Sequence, residues 1–181
     1  MHKTVKVKVV KRASAQQNGN CIVFGPVECS KAIPEIIGAT LLSIGEAERL
    51  PDHLRKYSNW WWLRAPGLSR YTAASICNDG SVYYTGDLVY NTGGCVRPAL
   101  RIRNFESSDF KIGDRFKFGG KEFEIISDNL AFCTGDIGRC LFRTDWRAPD
   151  ANFYEASDVK KKLDRWFHEC EQCEKARVNC K

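Results

Sequence analysis

The residues whose types and spacing could hold a metal ion lie near the C-terminus of the chain. Two residues separate Cys170 from Cys173, a spacing that fits a zinc chelate, and His168 or Cys180 could complete a tetrahedral site. The same cysteines also continue an apolar helical pattern, formed by Val159, Leu163, Trp166, Cys170 and Cys173. No second Cys-x-x-Cys pair occurs in the sequence. We therefore predict a helix with buried cysteines, no bound metal and no cofactor, with His168, Cys170, Cys173 and Cys180 as the alternative zinc set.

The sequence contains no pattern that favours a catalytic site. A nucleophilic cysteine would require a histidine base, and the three histidines, His2, His53 and His168, all lie outside the β-rich middle of the chain. Gly93-Gly94 and Gly119-Gly120 lie between predicted strands, whereas a phosphate-binding glycine loop precedes a helix. We therefore expect a non-catalytic protein that works by binding a partner.

Almost all of the net positive charge lies in the first twelve residues. The chain carries a formal charge of +6. Residues 1–12 hold five cations and no acid, namely Lys3, Lys6, Lys8, Lys11 and Arg12. A concentrated positive patch attracts phosphate backbones or acidic protein surfaces. We expect this segment, called the basic arm below, to contact the partner.

The basic arm also has the alternation of a strand. Three valines alternate with Lys6 and Lys8, which predicts one buried face and a basic face that includes Arg12. Two residues of a strand span ~6.6 Å, which is close to the distance between successive phosphates on one nucleic-acid strand. The arm is therefore a candidate for non-specific contact with double-stranded DNA. The alternative is a solvated edge strand that its lysines keep from aggregating.

Consecutive tryptophans, residues 60–62, begin another predicted strand. Because adjacent strand residues face opposite sides, at least one of the three rings must reach the surface or a second layer. An exposed tryptophan can anchor a protein interface or stack on a base, which makes Trp60 a candidate contact residue. Core packing on both faces is the alternative, and the same two interpretations apply to Tyr83, Tyr84 and Tyr90.

Antiparallel hairpins dominate the predicted middle of the chain. Asn78-Asp79-Gly80 separates strands at 71–77 and 81–85, and Gly119-Gly120 separates strands at 115–118 and 122–126. Further strands are predicted at 39–42, 60–63, 88–90 and 96–102, and a third pair at 130–133 with 139–143.

Helices are predicted on either side of these hairpins. Residues 30–37 indicate one broken helical turn, and Ser43 with Glu46 forms a capping-box pair. Ser157 is the expected cap of the C-terminal amphipathic helix. Strand pairs with segregated helices predict an α+β fold.

The cysteine count indicates the compartment. Nine cysteines, an odd number, occur in a chain in which we find no secretory signal and no apolar run of the ~18 residues that a membrane helix needs. Reduced thiols are typical of the cytosol. We therefore expect a cytoplasmic protein without disulfides and without membrane partners.

Three segments form a specific motif set: Trp61-Trp62-Leu63-Arg64-Ala65-Pro66-Gly67, Asn78-Asp79-Gly80-Ser81-Val82 and Gly94-Cys95-Val96-Arg97-Pro98-Ala99-Leu100. Leu42-Ser43 and Glu46-Ala47-Glu48 precede them. The set closely resembles the C-terminal half of a bacterial and phage domain family of unknown function, related to the C-type-lectin and formylglycine-generating-enzyme folds. Since Arg64 and Arg97 lie at apolar strand ends beside prolines, we expect both to be buried and hydrogen-bonded.

A second region is similar to the N-terminal half of that family. It consists of Ile112-Gly113-Asp114 to Phe118-Gly119, Glu122 to Ser127, and Asn152 to Trp166. The halves come in reverse order, which indicates a circular permutation or fragments of two copies. We accordingly divide the chain into an N-terminal basic β segment (1–38) that includes the basic arm, a permuted lectin-like domain (39–167) and a helical cysteine-containing tail (168–181), packed as one compact unit.

The resemblance implies antiparallel hairpins in a C-type-lectin-like arrangement with variable binding surfaces. Neither a calcium site nor a copper-binding cysteine pair can be mapped onto this chain. The leading hypothesis is an inhibitor of a host defence nuclease, an anti-CRISPR protein of a phage or mobile element. It would bind the effector or its nucleoprotein complex in the host cytoplasm. A lectin-like receptor- or glycan-binding module is the alternative, and a formylglycine-generating-type enzyme is the third hypothesis.

Overall fold

The structure is a computed structural model that describes residues 33–103 and 110–179, with side chains as far as residue 173. The basic arm lies outside the described residues, as do Cys21, Cys29 and Cys180. The elements in the described part are β1 (Ile36–Thr40), α1 (Ile44–Glu48), α2 (Asp52–Arg55), β2 (Trp61–Pro66), β3 (Thr72–Ile76), β4 (Val82–Leu88), β5 (Ala99–Ile102), β6 (Arg115–Phe118), β7 (Lys121–Ser127), β8 (Leu130–Cys133), a 3-10 turn (Tyr154–Ala156) and α3 (Asp158–Asn179).

The strands form two antiparallel sheets. Five strands pair in the order β1-β5-β8-β7-β6, and three pair in the order β2-β3-β4. The predicted α+β class is therefore confirmed. Within the described residues, no helix is both long and apolar enough to cross a membrane. The predicted segment boundaries at residues 38 and 168 fall inside elements, because β1 begins before residue 38 and α3 runs without a break through residue 168.

Alternating side chains of β2 connect two core clusters. Trp61 and Leu63 face α1, α2 and β8, whereas Trp62 faces Phe142 and the start of α3. Both tryptophans are fully buried. For these two tryptophans the alternative, core packing on both faces, is thus confirmed, because each face of this strand carries its own layer of packing.

A third core cluster fixes α3 on the five-stranded sheet. Cys170 is buried against β6 and β7, and Trp166 contacts the rings of Phe118 and Phe123 at centroid distances of 6.0 and 6.2 Å. The helix begins where predicted, since the Ser157 hydroxyl accepts a hydrogen bond from the Lys160 amide at 3.0 Å.

The local signals around α1 and the two glycine hairpins are confirmed. Ser43 and Glu46 exchange the two hydrogen bonds of a capping box. β3 pairs with β4 and β6 with β7, in antiparallel register.

Four local predictions were wrong. The described part of 30–37 contains the start of β1, residues 89–90 form a turn, and Cys173 is exposed. Residues 139–143 do not pair with β8, which lies between β5 and β7. In the described part of the chain, the 139–143 segment has one isolated β-bridge, between Arg139 and Cys95. These four predictions share one weakness. Contacts with distant parts of the chain, present or missing, determine whether a segment pairs and whether a side chain is buried.

Candidate functional site

The structure places Trp60 at the margin of a core cluster. Its ring is half-buried and packs edge-on against Trp62, with 4.7 Å between the ring centroids. Gly94 lies under both rings, and a Cβ at that position would be 2.2 Å from Trp62 Nε1 and 2.7 Å from Trp60 Cη2. Trp60 therefore contributes mainly to packing and offers only part of its ring to a partner.

The C-terminal zinc set is not assembled among the described residues. Cys170 is buried in the third core cluster, while His168 and Cys173 are exposed, and Cys180 lies outside the described residues. His168 Nε2 lies 2.8 Å from the Gln172 amide nitrogen on the same helix. Within the part of the chain that the structure describes, no three His, Cys, Asp or Glu side chains come close enough to hold a metal.

The core thiols are held in their protonated form. Burial raises the pKa of Cys95, Cys133 and Cys140 above the ordinary thiol value of 9.0. A nucleophilic or metal-binding cysteine needs the thiolate, so burial works against both roles. No disulfide joins any two of the six cysteines for which the structure describes side chains.

Arg97 is fully buried, as predicted, and its hydrogen bonds go to the backbone. Its guanidinium donates at 2.6–3.3 Å to the carbonyl oxygens of Leu54, Cys133, Thr134 and Gly135. Three rings lie 4.5–5.0 Å from its central carbon, those of Tyr57, Trp61 and Phe132. Burial lowers the pKa of this guanidinium to about 10, so it stays charged at neutral pH. Arg97 thus ties α2, β2 and the segment after β8 together.

Arg64 is half-buried rather than buried, and it is hydrogen-bonded as predicted. Its guanidinium donates to the Leu41 carbonyl at 2.6 Å and to the Glu46 carboxylate at 2.7 and 3.0 Å. Burial raises the pKa of Glu46, but hydrogen bonds from Arg64 and Ser43 outweigh burial and hold this pKa below 4.5.

His53 and Glu124 form an imidazole–carboxylate pair between α2 and β7. His53 Nε2 lies 3.1 Å from both oxygens of the buried Glu124 carboxylate. Arg115 also donates to that carboxylate at 2.9 Å. The Glu124 carboxylate is thus shared between an imidazole and a guanidinium.

One group of exposed and half-buried side chains has the composition of a binding surface. The rings of Tyr71 and Tyr90 lie 6.1 and 5.6 Å from the Trp146 ring, centroid to centroid. The Arg70 guanidinium lies 4.5 Å from the Tyr71 ring, and the Arg147 guanidinium lies 4.2 Å from the Trp146 ring. We call these five residues the aromatic–arginine patch.

Backbone hydrogen bonds fix the segments that carry the patch. The Val89 amide donates to the Tyr71 carbonyl at 2.9 Å, which joins the start of β3 to the end of β4. The Arg143 amide donates to the Val89 carbonyl at 2.9 Å, and the Thr144 amide donates to Asp158 on α3 at 2.6 Å. The segment just before Trp146 is therefore anchored to residue 89 after β4 and to the start of α3.

The patch is positively charged, and among the described residues the one side-chain hydrogen bond of its guanidinium groups runs from Arg70 to the Tyr71 hydroxyl. Arg70 and Arg147 are exposed, and neither forms an ion pair with a described residue. Their guanidinium groups can each bind a carboxylate or a phosphate in bidentate geometry, while the rings offer apolar faces. Of the five residues, sequence reasoning singled out only Tyr90. The adjacent pairs Arg70-Tyr71 and Trp146-Arg147 were the available signal.

Comparison of the chain with protein families, with curated proteins and with solved structures found no match.

Proposed function

We propose that this protein is a non-catalytic binding protein of a phage or mobile element that inhibits a host defence nuclease of the CRISPR effector type. Its sequence resemblance supplies the expected biological context. The aromatic–arginine patch is the observation that carries the binding role. A lectin-like arrangement of the sheets and a cytoplasmic location in the host belong to the same proposal.

The chemistry of the patch suits a nucleoprotein partner. Tryptophan, tyrosine and arginine are the residues that most often dominate binding energy at protein interfaces. The same residues bind nucleic acids, since aromatic rings stack on bases and guanidinium groups pair with phosphates. In the patch the rings are already packed together and the loop is anchored, so fewer side-chain rotations need to be frozen when a partner binds.

The basic arm provides a second contact within this proposal. Lys3, Lys6, Lys8, Lys11 and Arg12 lie outside the described residues, and their contact with DNA stays a prediction from the sequence. Their electrostatic attraction would increase the rate of association and would be sensitive to salt, whereas the patch would supply directional contacts.

A glycan-binding module is the second candidate, because further exposed tyrosines lie on β4. The exposed fractions of Tyr83 and Tyr84 are 44% and 57%. Exposed rings of this kind can stack on the apolar face of a sugar. A glycan array tests this candidate directly.

Capture from a host lysate, with and without nuclease treatment, tests the leading proposal. We expect the wild-type protein to retain an effector nuclease, and we expect the purified effector to lose cleavage activity when the protein is added. Retention should fall with Arg147→Ala and should be unchanged with Ile112→Ala, which alters an exposed apolar residue before β6. Retention of glycans without any nuclease would contradict the inhibitor and support the second candidate.

A further inference from the structure

A cleft of about 590 Å³ opens between the five-stranded sheet and the α1–β2 side of the molecule. Its polar lining consists mainly of Glu46, Arg64, Arg101, Arg103 and Asn129, and we call it the arginine cleft. It shares no residue with the aromatic–arginine patch. Its volume is within the range of about 300–1,000 Å³ that is usual for sites of small organic ligands.

Two of the arginines come from one strand and its extension. Arg101 and Arg103 are two residues apart, and they alternate with the buried Leu100 and Ile102. In an extended chain this spacing places both side chains on one face, with their Cα atoms ~6.6 Å apart. The cleft therefore has two guanidinium groups side by side on one wall.

These two arginines are little neutralised by their surroundings. The Arg101 side chain is exposed and has no hydrogen bond or ion pair with any described residue. Arg103 pairs with Glu35 at 3.1 Å, but both side chains are more than half exposed, so the pair is weak and can be exchanged for a ligand.

The opposite wall is held in place by internal contacts. Arg64 is fixed by Glu46 and by the Leu41 carbonyl, and Glu46 Oε2 also accepts from the Ser43 amide at 2.7 Å. The single carboxylate of the lining is thus already paired. Arg101 and Arg103 then give the lining a net positive charge.

The remaining lining provides a neutral donor and an apolar surface. Asn129 accepts from the Ser127 hydroxyl through its side-chain oxygen at 2.9 Å, which leaves its amide group able to donate. Ile37, Ile102 and Leu130 also line the cleft. A ligand with anionic groups and an apolar body would satisfy both kinds of surface.

We propose that the arginine cleft binds the phosphate groups of a nucleotide, from either a free nucleoside diphosphate or the 5′-phosphorylated end of a nucleic acid. Paired guanidinium groups recognise phosphate oxygens in bidentate geometry. The apolar lining contacts the base or sugar. This inference is independent of the proposed function, because a failure at the cleft leaves the patch and its partner untouched.

Thermal melting and calorimetry with defined probes test the cleft. The probes are inorganic pyrophosphate, ADP, and a dinucleotide with and without a 5′-phosphate. We expect ADP or the 5′-phosphorylated dinucleotide at millimolar concentration to raise the Tm by about 2–5 °C, and pyrophosphate to bind more weakly. Tighter binding of ADP would identify a free nucleotide as the ligand, and tighter binding of the phosphorylated dinucleotide would identify a nucleic-acid end.

Matched variants decide whether binding occurs in the cleft. Arg101→Gln should weaken binding about tenfold or more, because it removes a charged hydrogen-bond donor. Asn129→Asp should do the same by placing a carboxylate beside the phosphate, since Asn129 adjoins Ile102, whose amide donates to the Asn129 carbonyl. Arg165→Gln removes the same charge from an exposed position on α3 and should leave affinity unchanged. Absence of binding by the wild type, or an equal loss in Arg101→Gln and Arg165→Gln, would overturn the proposal.

Discussion

At the scale of single residues, Arg97 shows how a buried charge is made tolerable. No carboxylate forms an ion pair with it among the described residues, and four backbone carbonyls and three aromatic rings surround the guanidinium. The carbonyl dipoles and the ring faces replace the hydration that burial removes. The fold also depends on the arginine, because without it these carbonyl oxygens would lack their hydrogen-bond donor.

Arg97→Ala should lower the free energy of unfolding by about 3 kcal/mol or more. The substitution leaves four carbonyls without their donor and opens a cavity among the rings. Urea unfolding measures the loss, and affinity per folded molecule should not change. Arg101→Ala, on the same segment but exposed, is the control and should shift stability by no more than about 0.5 kcal/mol. Equal stability of the two variants would refute the structural role of Arg97.

The neighbouring glycines Gly93 and Gly94 allow a second comparison of two single substitutions. Gly94→Ala should destabilise the protein by about 1–3 kcal/mol, because its Cβ would overlap the Trp62 ring, whose Nε1 donates to the Cys140 carbonyl at 2.8 Å. In Gly93→Ala the nearest atoms would lie at 3.3–3.5 Å, so a smaller loss is expected. Thermal melting of the two variants compares them directly. A larger loss of stability from Gly93→Ala would contradict the close packing of the Trp62 ring on Gly94.

At the scale of elements, sequence patterns correctly predicted the turns and the helix start that depend on neighbouring residues. The two glycine turns and the capping box of α1 depend on neighbouring residues, so sequence patterns identified β3–β4, β6–β7 and the start of α1. β8 was assigned the wrong partner because its four residues are all buried and carry no alternation that selects a neighbour.

The C-terminal helix shows the same limit. Cys173 continues the apolar spacing of Cys170 and is nevertheless exposed. Cys170 lies against Gly119 in the β6–β7 turn, at the end of its hairpin. Cys173 is almost one turn further along α3, where the described sheet offers nothing to cover it. Periodicity identifies a face of a helix, but the extent of the neighbouring sheet decides how much of that face is buried.

The basic arm is predicted to bind double-stranded DNA through its positive charges. If Lys6, Lys8 and Arg12 meet a phosphate backbone, binding to double-stranded DNA is weak, independent of sequence and steeply dependent on salt. Each replacement by alanine should reduce the slope of log affinity against log salt by about one unit. Fluorescence anisotropy over a salt series measures this slope.

A matched triple variant controls for net charge. Lys111, Lys117 and Arg165 are exposed cations elsewhere on the chain, and their replacement by alanine removes the same charge. This control should bind DNA with nearly the wild-type slope. If both triple variants lose the same slope, net charge rather than the arm determines DNA binding.

At the scale of the whole molecule, the proposed binding surface comes from segments far apart in the chain. Residues 70–71, 90 and 146–147 meet because the start of β3 lies beside the end of β4 and the loop before α3 packs on them. The sequence indicated the sheets and a binding role, but it did not indicate this meeting point, since no periodic pattern connects the three segments. Composition drew attention to the basic arm and to Trp60. The basic arm lies outside the described residues, and the Trp60 ring is used mostly in packing.

The most direct test of the binding account is a cleavage assay with the effector nuclease retained in the lysate experiment, titrated with purified variants. Arg147→Ala removes an exposed guanidinium from the patch without disturbing the core, and we expect it to raise the half-inhibitory concentration about tenfold or more. Ile112→Ala, with its Tm measured alongside, should inhibit like the wild type. Failure of the wild-type protein to inhibit cleavage, or full inhibition by folded Arg147→Ala and Trp146→Ala proteins, would contradict the account.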